Sequence, residues 1–316
     1  MTRGYVVGAY AASPTASAWD PDVEAAYLGT LAEDPRIAGF EMPWTGALHP
    51  RDEEWLFAHL PARLDVVLTD IPRVFLTITQ GDEHYGLASD DEAGRVRALR
   101  DVAALRDDVH RFDDRMGRRV VRGVELHPGP RGSHASAGSL ARSLRELAGW
   151  DWGGAEVLVE HSDALVPGHD PEKGFLSLGD ELAAIRDAQA DVGVVLNWGR
   201  SAIEFHDATR AIEHVGEARR AGLLRGYVVS GASDRVGSFD RPWADVHNAF
   251  RRSDLHPHGD PTSLLTEELL APVLSEVGSE PWIGVKLSWL TGAGSIADRI
   301  AMIREALDAL DRIQAA

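Results

Sequence analysis

No cysteine occurs anywhere in the 316 residues. Disulfides, thiolate ligands and thiol nucleophiles are thereby excluded, and a chain that does without disulfides suits a reducing compartment, so a cytoplasmic location is expected. Also missing are any run of about 18 apolar residues and any charged-then-apolar leader after Met1, so neither a membrane span nor a secretory signal is expected. Positive charge is scarce: 32 Lys and Arg face 50 Asp and Glu, a formal net charge of -18. Nucleic-acid affinity rests on neutralising phosphates with Lys and Arg, so a polyanionic partner is disfavoured and a compact ligand is favoured. Lysine itself is nearly absent. Among the basic residues only Lys173 and Lys286 are lysine, so arginine serves wherever charge alone is needed. A retained lysine then points to a need for a compact ammonium or a titratable amine. Lys173 sits in a polar stretch, Lys286 in an apolar one.

What is present is a regular alternation. Apolar strand-like runs lie at 5–11, 37–43, 64–70, 120–127, 155–162, 192–198, 224–230 and 282–288. Between them, residues 21–32, 52–59, 90–116, 139–148, 178–190, 208–221, 263–276 and 296–313 carry apolar residues at three and four spacing, as helices with one buried face do. Asp20, Ser139 and Ser295 are placed to cap helix N-termini, and Gly117, Gly149, Gly222 and Gly278 to close C-termini. Eight strand and helix units predict a closed (β/α)8 barrel, a single α/β domain over residues 1–316, and the 44% hydrophobic content is enough for one large core. Six of the strands carry a glycine two or four positions before a polar residue: Gly8 and Tyr10, Gly39 and Glu41, Gly123 and Glu125, Gly193 and Asn197, Gly226 and Ser230, Gly284 and Lys286. Even spacing puts each pair on one face of its strand. An inward glycine leaves room beneath a polar layer at the C-terminal mouth, where barrels of this kind carry their catalytic groups.

Two connections after strands are long, 73–89 and 231–262. Segments of that length in a compact domain usually cover a site or make a subunit contact, so the second is expected to be a lid or the interface of a homo-oligomer. Three strands finish on carboxylates: Glu41, Glu125 and Glu160. An apolar strand rarely ends so unless the carboxylate is solvated, paired or working, because burying it uncompensated is costly. Trp44, Trp198 and Trp289 stand at or just beyond strand ends, where indole faces suit the apolar face of a sugar or simply close the core.

The opening Val-Gly-Ala-Tyr10, the Gly-Phe-Glu41 of the second strand and the Leu-Val-Glu160 of the fifth resemble the xylose isomerase-like barrels, a group of sugar isomerases, sugar epimerases and endonuclease relatives. That resemblance implies a divalent metal held by Glu on strand five, Asp with a nearby His on strand six, His on strand seven and Glu on strand eight. This chain keeps only Glu160. It reads Asn197-Trp-Gly-Arg200 in place of the Asp and His, Ser230 on strand seven and Lys286 on strand eight. A metal through Glu160 would lack most of its partners, and an ammonium beside a cation site repels the ion. Lys286 is therefore read as standing in for the cation.

Other ligand types are present. His127 shares a face with Glu125, whereas alternation puts His161 on the face opposite Glu160. The His256-Pro-His258-Gly-Asp260 run has metal-binding residue types but reads as solvated loop. Loops 230–233 and 291–295 are small-residue segments in the region where this fold binds phosphate, which leaves a phosphorylated or carboxylated substrate open.

The expected function is a carbohydrate isomerase or epimerase. Glu125 and Glu160 exchange the proton and Lys286 acts as electrophile, while Glu41, Trp44, His127, His161, Asn197, Trp198, Arg200, Ser230 and Trp289 contact the sugar. A Lys286 Schiff-base aldolase or lyase and a non-catalytic sugar-binding protein are the alternatives. A retaining glycosidase would need a carboxylate where strand seven has Ser230.

Overall fold

Parallel pairing runs unbroken around eight strands and closes where β8 returns to β1, with Val6 opposite Gly284. The computed structural model describes residues 4–237, 239–290 and 294–315. The strands are β1 (Tyr5–Val7), β2 (Ile37–Pro43), β3 (Asp65–Thr69), β4 (Val121–Leu126), β5 (Glu156–Glu160), β6 (Val192–Asn197), β7 (Leu224–Val229) and β8 (Trp282–Val285). Around them lie α1 (Pro21–Ala32), α2 (Glu53–His59), α3 (Ile71–Thr79), α4 (Glu92–Met116), α5 (Ala137–Leu147), α6 (Leu178–Ala188), α7 (Trp198–Phe205), α8 (Ala211–Ala221), α9 (Glu267–Val277) and α10 (Ile296–Ala315). Among the described residues no helix is long and apolar enough to cross a membrane.

Several helix ends follow from local chemistry. Asp20 Oδ1 accepts the N–H groups of Asp22 and Val23, both at 3.1 Å, and Pro21 supplies the preset first turn of α1. Gly117 and Gly222 end α4 and α8 at φ of 64° and 71°, as anticipated. Gly149 follows the C-cap of α5 and donates its N–H to Glu146 O at 3.1 Å. Ala148 is the C-cap of α5, and its N-cap is Ser136 rather than Ser139, whose N–H donates to Ser136 Oγ at 3.2 Å.

Two helices depart from the sequence reading. The expected long loop at 73–89 contains most of α3, which begins directly after β3, with Pro72 in its first turn, where a missing N–H costs nothing. α7 begins at Trp198, where a strand end was expected, because Asn197 Oδ1 caps it by accepting the N–H of Gly199 at 2.9 Å and of Arg200 at 3.3 Å. The 231–262 segment remains a true long connection, tied by isolated bridges between Gly231 and Asn248 and between Arg251 and Asp260.

Inside the barrel, Val6, Val67, Leu158, Val195, Val228 and Trp282 form an apolar plug of their own. The outward faces of the strands pack with the helices in the larger core. The inward glycines serve these two layers at different depths. A Cβ on Gly226 would stand 2.3 Å from the Trp282 indole, so the low glycine makes room for the plug. A Cβ on Gly8 would stand 3.0 Å from Lys286 Cγ, so the high glycine makes room for the polar layer above it.

Candidate active site

Above the plug, the strand ends bring Glu41, Glu125, Glu160 and Lys286 into one buried cluster. Lys286 Nζ donates to Glu41 Oε1 at 2.5 Å and lies 4.0 Å from Glu160 Oε1. The Tyr10 hydroxyl donates to the same Glu41 oxygen at 3.2 Å, and the ammonium stands 5.3 Å from the Tyr10 ring centroid. Thr69 Oγ1 donates to Glu160 Oε2 at 3.1 Å, while Arg200 Nη1 donates to Glu160 Oε1. Each of these side chains comes from the C-terminal end of a strand or the first turn beyond it, where the geometry of a barrel makes loops converge.

Charge sorts the carboxyls. Burial would raise the Glu160 pKa, but the Arg200 guanidinium and Lys286 ammonium overcome it and hold the group at about 2. Glu125 moves the other way: burial, then the charges of Glu160 and Glu41, push it well above the carboxylate range. It is 0% exposed, and among the described residues neither of its oxygens has a hydrogen-bond donor. Glu41 is raised by burial, which outweighs the opposing pull of Lys286. For Lys286 burial works against the charge, yet Glu41, Tyr10 and Glu160 keep its pKa well above the usual lysine value.

The remaining residues anticipated as sugar contacts divide between mouth and wall. His127 is in the mouth; its Nδ1 accepts the Gly129 N–H at 2.9 Å, so the ring proton is on Nε2, which has no partner among the described residues. Burial, then the Arg200 charge, hold this ring neutral with a pKa of about 3. Arg200 and Asn197 are in the mouth, and among the described residues Arg200 Nη2 and Asn197 Nδ2 have no partner. Ser230 Oγ donates to Asn197 Oδ1 at 2.7 Å. Trp44, Trp198 and His161 are elsewhere. Trp44 is buried toward the helices and donates its indole N–H to Asp108 on α4 at 2.8 Å. Trp198 is fully buried in the outer core as the first residue of α7. His161 points behind the wall between Glu181 and Glu204, at 2.8 and 3.0 Å. In each case strand or helix direction turned the side chain outward. Trp289 is half-buried past β8 with the Arg299 guanidinium 5.8 Å from its ring centroid. Of the two small-residue loops, 230–233 borders the mouth, while Thr291, Gly292 and Ala293 lie outside the described residues.

Sequence reasoning missed the residues that close the mouth. Asp245, from the 231–262 segment, accepts from Arg200 Nε at 3.0 Å and pairs with Lys173 Nζ at 2.8 Å, with His247 Nδ1 3.4 Å away. Burial opposes its charge, but Lys173 and Arg200 hold it well below the usual range. Asp163 shapes the loop that presents Lys173, accepting the backbone N–H groups of Lys173 and Gly174, each at 2.9 Å. The isolated Lys173 was the signal available in the sequence for this cluster. The His256 to Asp260 run anchors the segment from outside: His256 Nε2 meets Glu267 at 3.0 Å and His258 Nδ1 meets Glu305 at 2.5 Å. A cavity of about 280 Å³ adjoins the mouth at Tyr10 and Glu41 and is lined beyond them by Trp19, His49 and Trp55.

The metal implied by the fold family does not fit these residues. Asn197 Oδ1 already accepts from two backbone N–H groups and the Ser230 hydroxyl, and Ser230 and Lys286 are not ligands for a cation here. Arg200 and Lys286 put two positive charges against Glu160, where the ion would stand.

A family profile described as "Domain of unknown function (DUF4862)" matches residues 6–302. "Uncharacterized protein STM3670" of Salmonella typhimurium is 31% identical over 317 residues, spanning 98% of this chain and 97% of the relative. Among solved structures, an L-ribulose 3-epimerase superposes with a TM-score of 0.60 at 14% identity, covering 100% of this chain and 96% of its own. A xylose isomerase domain containing protein of Salmonella typhimurium gives 0.59 at 12% identity, covering 98% and 97%. These chains share the xylose isomerase-like (β/α)8 fold.

Proposed function

We propose, from the premise that this chain belongs to the DUF4862 family, that it is a carbohydrate isomerase or epimerase that moves a proton on a carbon next to a sugar carbonyl. The observation that carries this reading is the pair Glu125 and Glu160, neighbours whose surroundings drive their proton affinities in opposite directions. Such a pair divides naturally into an acid and a base. A solved epimerase of the same fold is consistent with it.

In this scheme the Glu160 carboxylate takes the proton from the carbon next to the carbonyl. The C–H electron pair moves into the carbon framework and the carbonyl π pair onto oxygen. Lys286, held cationic by Glu41 and Tyr10, faces the resulting oxyanion. Glu125 delivers its proton to the opposite face of the same carbon in epimerisation; in isomerisation the neighbouring hydroxyl first passes its proton to the oxyanion, and Glu125 then protonates the former carbonyl carbon as the new carbonyl forms. As the oxyanion collapses, Glu160 and Glu125 exchange roles. Arg200 lowers the basicity of Glu160 while it is bound to it, so a substrate oxygen that draws Arg200 away switches the base on. The N–H groups of Arg200, Asn197 and His127 that have no partner among the described residues are donors for sugar oxygens. A Schiff-base role for Lys286 is disfavoured, because an amine kept protonated by a carboxylate at 2.5 Å has no lone pair to offer.

The test is solvent exchange. Incubated in deuterium oxide with a panel of ketoses, aldoses and their phosphates, the enzyme should place deuterium next to the carbonyl of at least one sugar and yield its epimer or isomer, read by NMR. Saturable binding of a sugar with no exchange would instead identify a sugar-binding protein.

A further inference from the structure

Behind the barrel wall, away from the mouth, two imidazoles converge on one carboxylate. His161 Nε2 lies 3.0 Å from Glu204 Oε2, and His214 Nε2 lies 3.2 Å from Glu204 Oε1. The two rings stand edge to face, with centroids 5.0 Å apart at 85°. All three donor atoms fall within 4.8 Å of one another, and all three residues are buried. We infer that His161, Glu204 and His214 form a structural zinc site, distinct from the mouth and from the ligand positions implied there by the fold.

Three observations carry this. First, the second nitrogen of each ring is already held: His161 Nδ1 by Glu181 Oε2 at 2.8 Å and His214 Nδ1 by Ser201 Oγ at 3.0 Å. Both Nε2 atoms are thereby directed at the Glu204 carboxylate, and a carboxylate behind a ligating imidazole is the usual outer support of a zinc histidine. The Ala164 N–H fixes Glu204 in the same way, donating to Oε2 at 2.8 Å. Second, two nitrogens and a carboxylate suit zinc, whereas magnesium or calcium would call for oxygen donors throughout. Three protein ligands leave the fourth position to a small non-protein ligand. Third, the charges match. Glu181 and Glu204 enclose two imidazoles in a buried compartment, and one divalent cation balances the two carboxylates.

The placement also gives the ion a task. β5 ends in Glu160, which faces the mouth, and is followed by His161, which faces outward. α7 carries Arg200 and, one turn later, Glu204. The Arg200 to Glu160 pair joins these two elements on the mouth side, and the zinc would join the same two from behind. It braces the segment that holds the proposed base.

Tag-free protein purified without chelator should contain about one zinc per chain by plasma mass spectrometry, and cobalt exchanged into it should give the visible bands of imidazole ligation. Zinc added to chelator-stripped protein should raise its melting temperature. His214→Asn should abolish both effects. Glu181→Gln, which leaves all three ligands in place, should weaken zinc by about 10- to 100-fold. Glu160→Gln in the mouth should leave zinc binding unchanged. Failure of wild-type protein to retain zinc, or to be stabilised by it, would overturn the site and leave a hydrogen-bonded ladder of the same groups. Zinc kept by H214N, or lost in E160Q, would equally reject it by placing the ion elsewhere.

Discussion

Lys286 has two separable jobs, a partner for buried Glu41 and a positive charge facing the substrate, and double substitution divides them. Lys286→Met should cost about 3 to 5 kcal/mol in urea denaturation, because it leaves a buried carboxylate unpaired. Adding Glu41→Gln removes that carboxylate, so E41Q/K286M should recover much of the stability yet remain inactive. Return of turnover in the double variant would reduce Lys286 to a structural ion. Glu125 predicts a pH effect whose sign follows from its raised pKa. The folded state keeps the proton to higher pH than the unfolded chain, so wild-type stability falls as pH rises above the ordinary value of 4.5. Glu125→Gln has no proton to lose. Its melting temperature should therefore gain on wild type as pH is raised, and a constant difference across the range would show that Glu125 titrates normally. Turnover should likewise fall on the alkaline side as the acid form of Glu125 is lost, and that limb should be absent if Glu125 takes no part.

At the scale of elements, the 231–262 segment and α7 meet at the mouth through Asp245 and Arg200. The segment places Asp245 between Lys173 and Arg200 over the buried cluster, which is the arrangement expected of a lid. Asp245→Asn removes the charge that both cations share. A loss of about 3 to 5 kcal/mol is expected from breaking a buried pair, together with a raised KM, since Arg200 would no longer be held in place. An unchanged KM would argue that Arg200 is positioned by Glu160 alone. Replacing the segment with a short turn should keep the barrel folded, because the segment lies outside the strand ladder. It should nonetheless abolish ligand binding, which calorimetry would read.

On the scale of the whole molecule, the barrel depends on a match between small and large residues at its axis. Trp282 fills the space that Gly226 leaves, and a methyl group there would stand 2.3 Å from the indole. Gly226→Ala should destabilise the protein by about 1 to 3 kcal/mol through overpacking, measured by urea denaturation with tryptophan fluorescence as the signal. A smaller effect would mean that Trp282 has a second place to go. Strand order and the inward carboxylates were legible from the chain because β periodicity and the recurrence of strand and helix are local properties. Glu41, Glu125 and Glu160 stand on strands whose alternation fixes the face each one presents, and Lys286 follows β8 directly. The sequence by itself therefore determined the barrel and its mouth. Which groups meet across that mouth was decided only by the tertiary structure. Asp245 reaches Arg200 from 45 residues away through an irregular loop. Asn197 turns out to cap α7, and Trp44, Trp198 and His161 turn outward. No periodicity encodes such meetings, because they depend on where separate elements pack and on which buried charges find one another in a space with no water to screen them.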